Sequence, residues 1–89
     1  MEIEFIGSGA AHDPKRGNVS ILINSESKIL LDTGFMNVIS YFEKGWDANF
    51  IDAIYISHFH ADHFFALIPL ISKMVYAGRT KKLTLIGQP

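Results

Sequence analysis

Cysteine is absent from the 89 residues. That excludes disulfides and thiolate ligands, leaves histidine and carboxylate as the side chains for any metal site, and fits a reducing compartment. An excess of one charge is missing too: eight basic residues stand against nine acidic ones, a net charge of −1. Such a balance gives neither an electrostatic footprint for nucleic acid nor a polybasic membrane patch. No apolar run approaches the roughly 18 residues of a membrane span, and Met1-Glu2-Ile3-Glu4 does not open a signal peptide. A membrane is therefore not an expected partner, and a cytoplasmic location is the default expectation. Repeats, low-complexity tracts and linkers are also lacking, and the length allows one domain at most. Apolar residues, by contrast, are plentiful. They make up 48% of the chain, so some apolar surface is expected to need a cover.

The alternation Glu2-Ile3-Glu4-Phe5-Ile6 predicts a strand with one buried face, stopped at Gly7-Ser8-Gly9. For Gly7 and Gly9 simple turn geometry is the preferred reading over close approach to a phosphate. A polar loop follows to Asn18, in which His12 reads as a solvated surface histidine. Residues 19–23 and 28–31 are apolar runs around Asn24-Ser25-Glu26-Ser27, the pattern of a β-hairpin, and Asp32-Thr33-Gly34 ends it. Val38, Ile39, Tyr41 and Phe42 predict a helix over 36–44, with Gly45 as a left-handed cap. Residues 51–56 predict a strand buried on both faces. Phe64, Leu67, Ile68, Ile71, Met74 and Val75 give a helical period over 63–77, where Pro69 implies either a kink or a separate first turn. Residues 82–86 form a last strand. The order is that of an α/β layer.

The chemistry concentrates at the end of the 51–56 strand. Three of the four histidines fall in Ser57-His58-Phe59-His60-Ala61-Asp62-His63. On an extended segment His58 and His60 point the same way and can reach one ion; Asp62 and His63, where the chain turns into the helix, can reach a second ion beside it. A water bridged by two metals becomes a hydroxide nucleophile near neutral pH, and Asp62 could ligate a metal and also orient or deprotonate that nucleophile. Imidazole suits zinc; manganese and iron are also compatible with these ligand types. The plainer alternatives are histidines that cap a helix, and Asp62 as its N-cap. Phe59, Phe64 and Phe65 read as core packing rather than a base-stacking platform.

The motif His58-x-His60-x-Asp62-His63 after an isoleucine-rich strand resembles the signature of the metallo-β-lactamase superfamily. Phe5-Ile6-Gly7-Ser8-Gly9-Ala10-Ala11, Arg16-Gly17-Asn18-Val19-Ser20, Leu30-Leu31-Asp32-Thr33-Gly34 and Leu83-Thr84-Leu85-Ile86-Gly87 resemble segments of its ribonuclease Z-like and phosphodiesterase branches. The resemblance covers nearly the whole chain. It implies the N-terminal half of an αββα sandwich, α/β (α+β) in class, with a mixed sheet and helices on one face. It also implies two divalent metal ions, His58 and His60 as ligands of the first, and Asp62 and His63 as ligands of the second. Asp32 would orient a ligand histidine; read from the residues alone it could equally be the turn that closes the hairpin. Two departures stand out. Ribonuclease Z proper follows that aspartate with a cysteine and a glycine-rich run, where this chain has Thr33-Gly34-Phe35-Met36, and Ala66 stands where the family favours glycine.

The implied function is metal-dependent hydrolysis of a small-molecule or RNA phosphodiester. The superfamily's further ligands come from later in the chain, so residues 1–89 are expected to be the incomplete N-terminal part of one domain, inactive alone. The apolar sheet face normally met by the second half would be open to self-association. A non-catalytic interaction module on the same scaffold, and a hydrolase of β-lactam, thioester or sulfate ester substrates, are the alternatives.

Overall fold

The computed structural model describes residues 1–9, 15, 17–57 and 60–87. Five strands form one sheet in sequence order: β1 (Glu2–Gly7), β2 (Ser20–Asn24), β3 (Lys28–Leu31), β4 (Ala53–Tyr55) and β5 (Thr84–Ile86). β1, β2 and β3 pair antiparallel, as chain segments joined by short returns do; β3, β4 and β5 pair parallel, which requires crossovers. The first crossover carries a 3-10 turn (Phe35–Asn37) and helix α1 (Val38–Glu43), the second α2 (Ala61–Phe64) and α3 (Leu67–Tyr76). This is the mixed sheet with helices that the sequence led us to expect. No helix among the described residues is long and apolar enough to cross a membrane.

Strand pleating sorts the sheet into two faces. Leu22, Leu30 and Ile54 are cross-strand neighbours and are buried against Tyr41, Leu67, Leu70 and Met74 of the helices. The opposite face consists of two rows, Ile3, Ile23, Ile29, Ala53, Thr84 and Phe5, Ile21, Leu31, Tyr55, Ile86. Neither row holds a charge. Phe5 is 68% exposed and Ile3 57%. The expectation that residues 51–56 are buried on both faces is therefore corrected: Ile54 is fully buried, but Ala53 and Tyr55 lie on the uncovered face and are half-buried.

Other boundaries move for identifiable reasons. Pro69 is the third residue of α3, where its missing N–H costs no helical bond, so α2 is the separate first turn and the break falls at Phe65 and Ala66. Phe65 is 59% exposed, which corrects its assignment to the core, whereas Phe64 packs partly buried against it; Phe59 lies outside the described residues. Gly45 has the left-handed φ of +67° expected past a helix end. Gly7 and Gly9 do not form a two-glycine turn: Gly7 ends β1 and Gly9 bridges Asn18, while Gly17 takes the left-handed φ of +66°. His12 lies outside the described residues.

The outer end of the parallel sheet is tied by polar groups. The Arg79 guanidinium donates to the carbonyls of Ala48, Ile51 and Lys82 at 2.7–3.0 Å, holding the approaches to β4 and β5. Asp52 accepts from the Lys28 backbone N–H at 2.7 Å and pairs with Lys81. The Lys81 bond first, then the Lys28 N–H, holds the Asp52 carboxyl below its ordinary range. A folded value below the unfolded one means a contribution that is complete above about pH 4 and is lost as pH falls through the lower folded value. Asp52→Asn should thus be less stable than the parent at neutral pH and approach it below about pH 4, measured by denaturant titration across pH.

Candidate metal centre

β3 ends at Leu31, and the next residue, Asp32, has φ +63°, the left-handed region that aspartate tolerates better than most side chains. Its N–H donates to the Tyr55 carbonyl at 2.7 Å, so the parallel pairing with β4 continues one residue past the strand. The left-handed turn then sends the carboxylate across to the end of β4 rather than along the sheet. There Oδ1 accepts from the Ser57 N–H at 2.7 Å and Oδ2 from the Ser57 hydroxyl at 2.8 Å, while His63 Nδ1 lies 3.0 Å from Oδ2. Asp32 is only 7% exposed, so these bonds replace water.

Thr33 and Gly34 form the shelf on which α2 rests. Thr33 N–H donates to the His63 carbonyl at 2.7 Å, and the Thr33 carbonyl accepts from Ala66 N–H at 2.9 Å. Gly34 lies against the Asp62 carbonyl and the Asn18 side chain so closely that a Cβ there would overlap both. Asn18 is fixed in turn by Asn37, each side chain bonding the other residue's backbone or that of its neighbour. Asn18 N–H donates to Asn37 Oδ1, Asn37 Nδ2 to the Asn18 carbonyl, and Met36 N–H to Asn18 Oδ1, all at 2.9 Å. The Asp-Thr-Gly segment and the Asn18 loop together set where Asp62 and His63 stand.

The N-cap of α2 is His60, in extended conformation with no side-chain capping bond, and Asp62 lies inside the first turn. The reading of Asp62 as N-cap is thereby excluded. His63 Nε2 and Asp62 Oδ2 are 3.2 Å apart, both half-buried. A carboxylate at Asp32 can only accept, so the Nδ1 side of His63 carries the proton, and in the neutral ring Nε2 presents a lone pair. Two lone-pair atoms then face each other. A cation between them, or a second ring proton, relieves the repulsion. Two ligand atoms at about 2.0–2.2 Å from one zinc, at right to tetrahedral angles, are about 2.8–3.6 Å apart, a range that includes the observed separation. The donor set thus fits a divalent metal.

His58 lies outside the described residues, so its expected pairing with His60 is not described. Among the described residues no three histidine or carboxylate side chains converge on one point, in keeping with a ligand set that draws on others. Ser57, Thr33 and Gly34 stand in the sequence motifs but carry no role of their own there. Only their positions beside Asp32 and His58 could have marked them.

Comparison with known proteins bears on the family and the fold. Residues 1–89 match the family described as Anti-Pycsar protein Apyc1. Ribonuclease Z of Clostridioides difficile is 40% identical over 98% of this chain, and that of Clostridium acetobutylicum 34% over 98%. The chain spans 29% of the length of each. Human tRNase Z, short form, superposes with a TM-score of 0.78 at 29% identity, over 93% of this chain and 33% of that one. The metallo-beta-lactamase fold protein YhfI of Bacillus subtilis does so at 0.74 and 24% identity, over 97% and 36%, which speaks for the fold. The resemblance to the ribonuclease Z-like branch and the α/β fold expected from it are both borne out, and the chain, with a metallo-beta-lactamase fold, belongs to the Anti-Pycsar protein Apyc1 family.

Proposed function

We propose that these residues form part of a dinuclear metal centre that hydrolyses phosphodiester bonds, with His58 and His60 serving one ion and Asp62 and His63 the other. The observation that carries this reading is the facing pair of His63 Nε2 and Asp62 Oδ2, with Asp32 holding the far side of the imidazole. Zinc is the metal these ligands favour, and manganese or iron would also suit them. The ions' part is Lewis acidity, which eases deprotonation of water and offsets charge on the phosphoryl oxygens.

The chain's own residues do the rest. Asp32 retains the Nδ1 proton of His63 and so fixes which nitrogen faces the metal. Asp62, at the rim of the same turn, directs a carboxylate oxygen to the site and is positioned to orient or accept a proton from attacking water. The substrate is a small-molecule or RNA phosphodiester, the latter supported by relatives named ribonuclease Z. The missing ligands come from sequence beyond residue 89 or from a second copy. The bare rows led by Ile3 and Phe5 are the surface either would cover.

Hydrolysis of bis(p-nitrophenyl) phosphate by the whole protein should require divalent metal and disappear on chelation. His60→Ala should lower kcat/KM at least about 100-fold, the scale of a lost metal ligand. Turnover that survives both treatments contradicts the proposal.

A further inference from the structure

Asp32 is held from below as well as in front. Its carbonyl oxygen accepts from the Ser20 hydroxyl at 2.8 Å, and Tyr41 Oη stands 2.6 Å from Ser20 Oγ and 3.2 Å from the same carbonyl. A carbonyl only accepts, so at least one of the two hydroxyl protons goes to Asp32, and the other goes to the same carbonyl or to the neighbouring hydroxyl. Both residues are fully buried, Ser20 in β2 and Tyr41 in α1. Neither is hydrogen-bonded to a candidate ligand among the described residues. Their hydroxyls have no water to turn to, so a shift of the Asp32 peptide would strand two buried donors.

We propose that Tyr41 and Ser20 are positioning residues for the metal centre: their hydroxyls lock the Asp32 carbonyl, keep the residue left-handed, and so aim its carboxylate at His63 Nδ1. The lock has two halves. The Tyr55 carbonyl takes the Asp32 N–H on one side of the residue, and the hydroxyl pair takes its C=O on the other. With both flanking peptides fixed, the direction of the Asp32 Cα–Cβ bond is fixed. The unfavourable φ of +63° then persists because its surroundings over-determine it. Burial raises the Tyr41 hydroxyl well above its ordinary range, so it is a donor at neutral pH. The consequence for function is that helix α1, remote from the metal ligands in sequence, sets which imidazole nitrogen of His63 is presented.

This inference rests on the metal-centre reading above, and its test separates the two because it is made without metal. Long-range proton–nitrogen NMR of the metal-free protein, above the ordinary imidazole titration range, reports which ring nitrogen carries the hydrogen. The parent should show His63 as the Nδ1–H tautomer. Ser20→Ala combined with Tyr41→Phe should give a mixture of both tautomers, and zinc affinity should fall about tenfold, the lower range for loss of an orienting partner. Tyr41→Phe alone keeps the buried ring and one hydroxyl, and should shift the tautomer less. Ser20→Thr, which retains the hydroxyl, should restore the parent spectrum. Leu70→Ala, a core truncation that keeps both hydroxyls, should lower thermal stability while leaving the tautomer unchanged. A pure Nδ1–H spectrum in Tyr41→Phe and in every folded Ser20 variant would overturn the proposal and leave the two hydroxyls as fold stabilisers only. A mixed spectrum in Leu70→Ala equal to that of the double variant would overturn it as well.

Discussion

Asp32→Asn should leave the protein folded but weaken its zinc affinity by about 10–100-fold, the range for loss of a ligand's orienting partner. Asparagine tolerates the left-handed φ of +63° and can still accept from the Ser57 N–H through its one carbonyl oxygen. Its amide nitrogen then occupies the place of Oδ2, facing His63 Nδ1. An NH2 there donates instead of accepting, so the imidazole proton moves to Nε2 and the lone pair is turned away from Asp62. The ligand is lost by inversion of one hydrogen bond. Asp32→Ala combines that loss with strain of about 1–2 kcal/mol at positive φ and with a stranded Ser57 N–H. Its total cost should be about 3–5 kcal/mol of stability, measured by denaturant unfolding. Equal zinc affinity in Asp32→Asn and the parent, by competition with a chromophoric chelator, would show that Asp32 does no more than close the strand.

Gly34→Ala should be among the most damaging single changes away from the ligands. The added methyl overlaps the Asp62 carbonyl and the Asn18 side chain, and neither can yield cheaply. The Asp62 carbonyl belongs to the turn pinned by Thr33 N–H on the His63 carbonyl, and Asn18 is pinned by Asn37 and Met36. Overpacking against fixed groups costs about 1–3 kcal/mol or more. At about 3 kcal/mol the melting temperature of a domain this size would drop by roughly 12–24 °C. The strain is relieved by lifting α2 off its shelf, so zinc affinity should fall together with stability. An unchanged melting temperature and unchanged affinity would mean that the chain does not approach so closely at Gly34.

The strands and helices were legible because their signals are local. Alternation in residues 2–6, the paired runs around residues 24–27 and the period of Phe64, Leu67, Ile71 and Met74 each depend on neighbours a few positions away, and each element lies within a few residues of its expected place, although Ile68 and Val75, counted into that helix face, are exposed and Leu70, not counted, is buried. Residues 51–56 misled for a physical reason. A continuous apolar run looks the same whether its second face is covered or bare, and Tyr55 on that face is only half-buried among the described residues. Asp32 could be read either as a turn or as a partner of histidine, and its backbone does the first while its carboxylate does the second. The left-handed turn is what joins the two. What no local pattern announced is the support: Gly34 against Asp62, Asn18 with Asn37, and Tyr41 with Ser20 meet only when strands and helices separated by some 20 residues or more are packed. Those contacts belong to the tertiary fold and have no spacing rule.

Calorimetric titration of zinc into the 89-residue protein, set beside the Asp62→Ala and His63→Ala variants, tests the central claim most directly. The account predicts measurable binding by the parent and at least a tenfold loss of affinity in each variant, with the folded structure kept in both. Zinc affinity indistinguishable among the three would contradict it, because the pair at 3.2 Å would then not be where the metal sits.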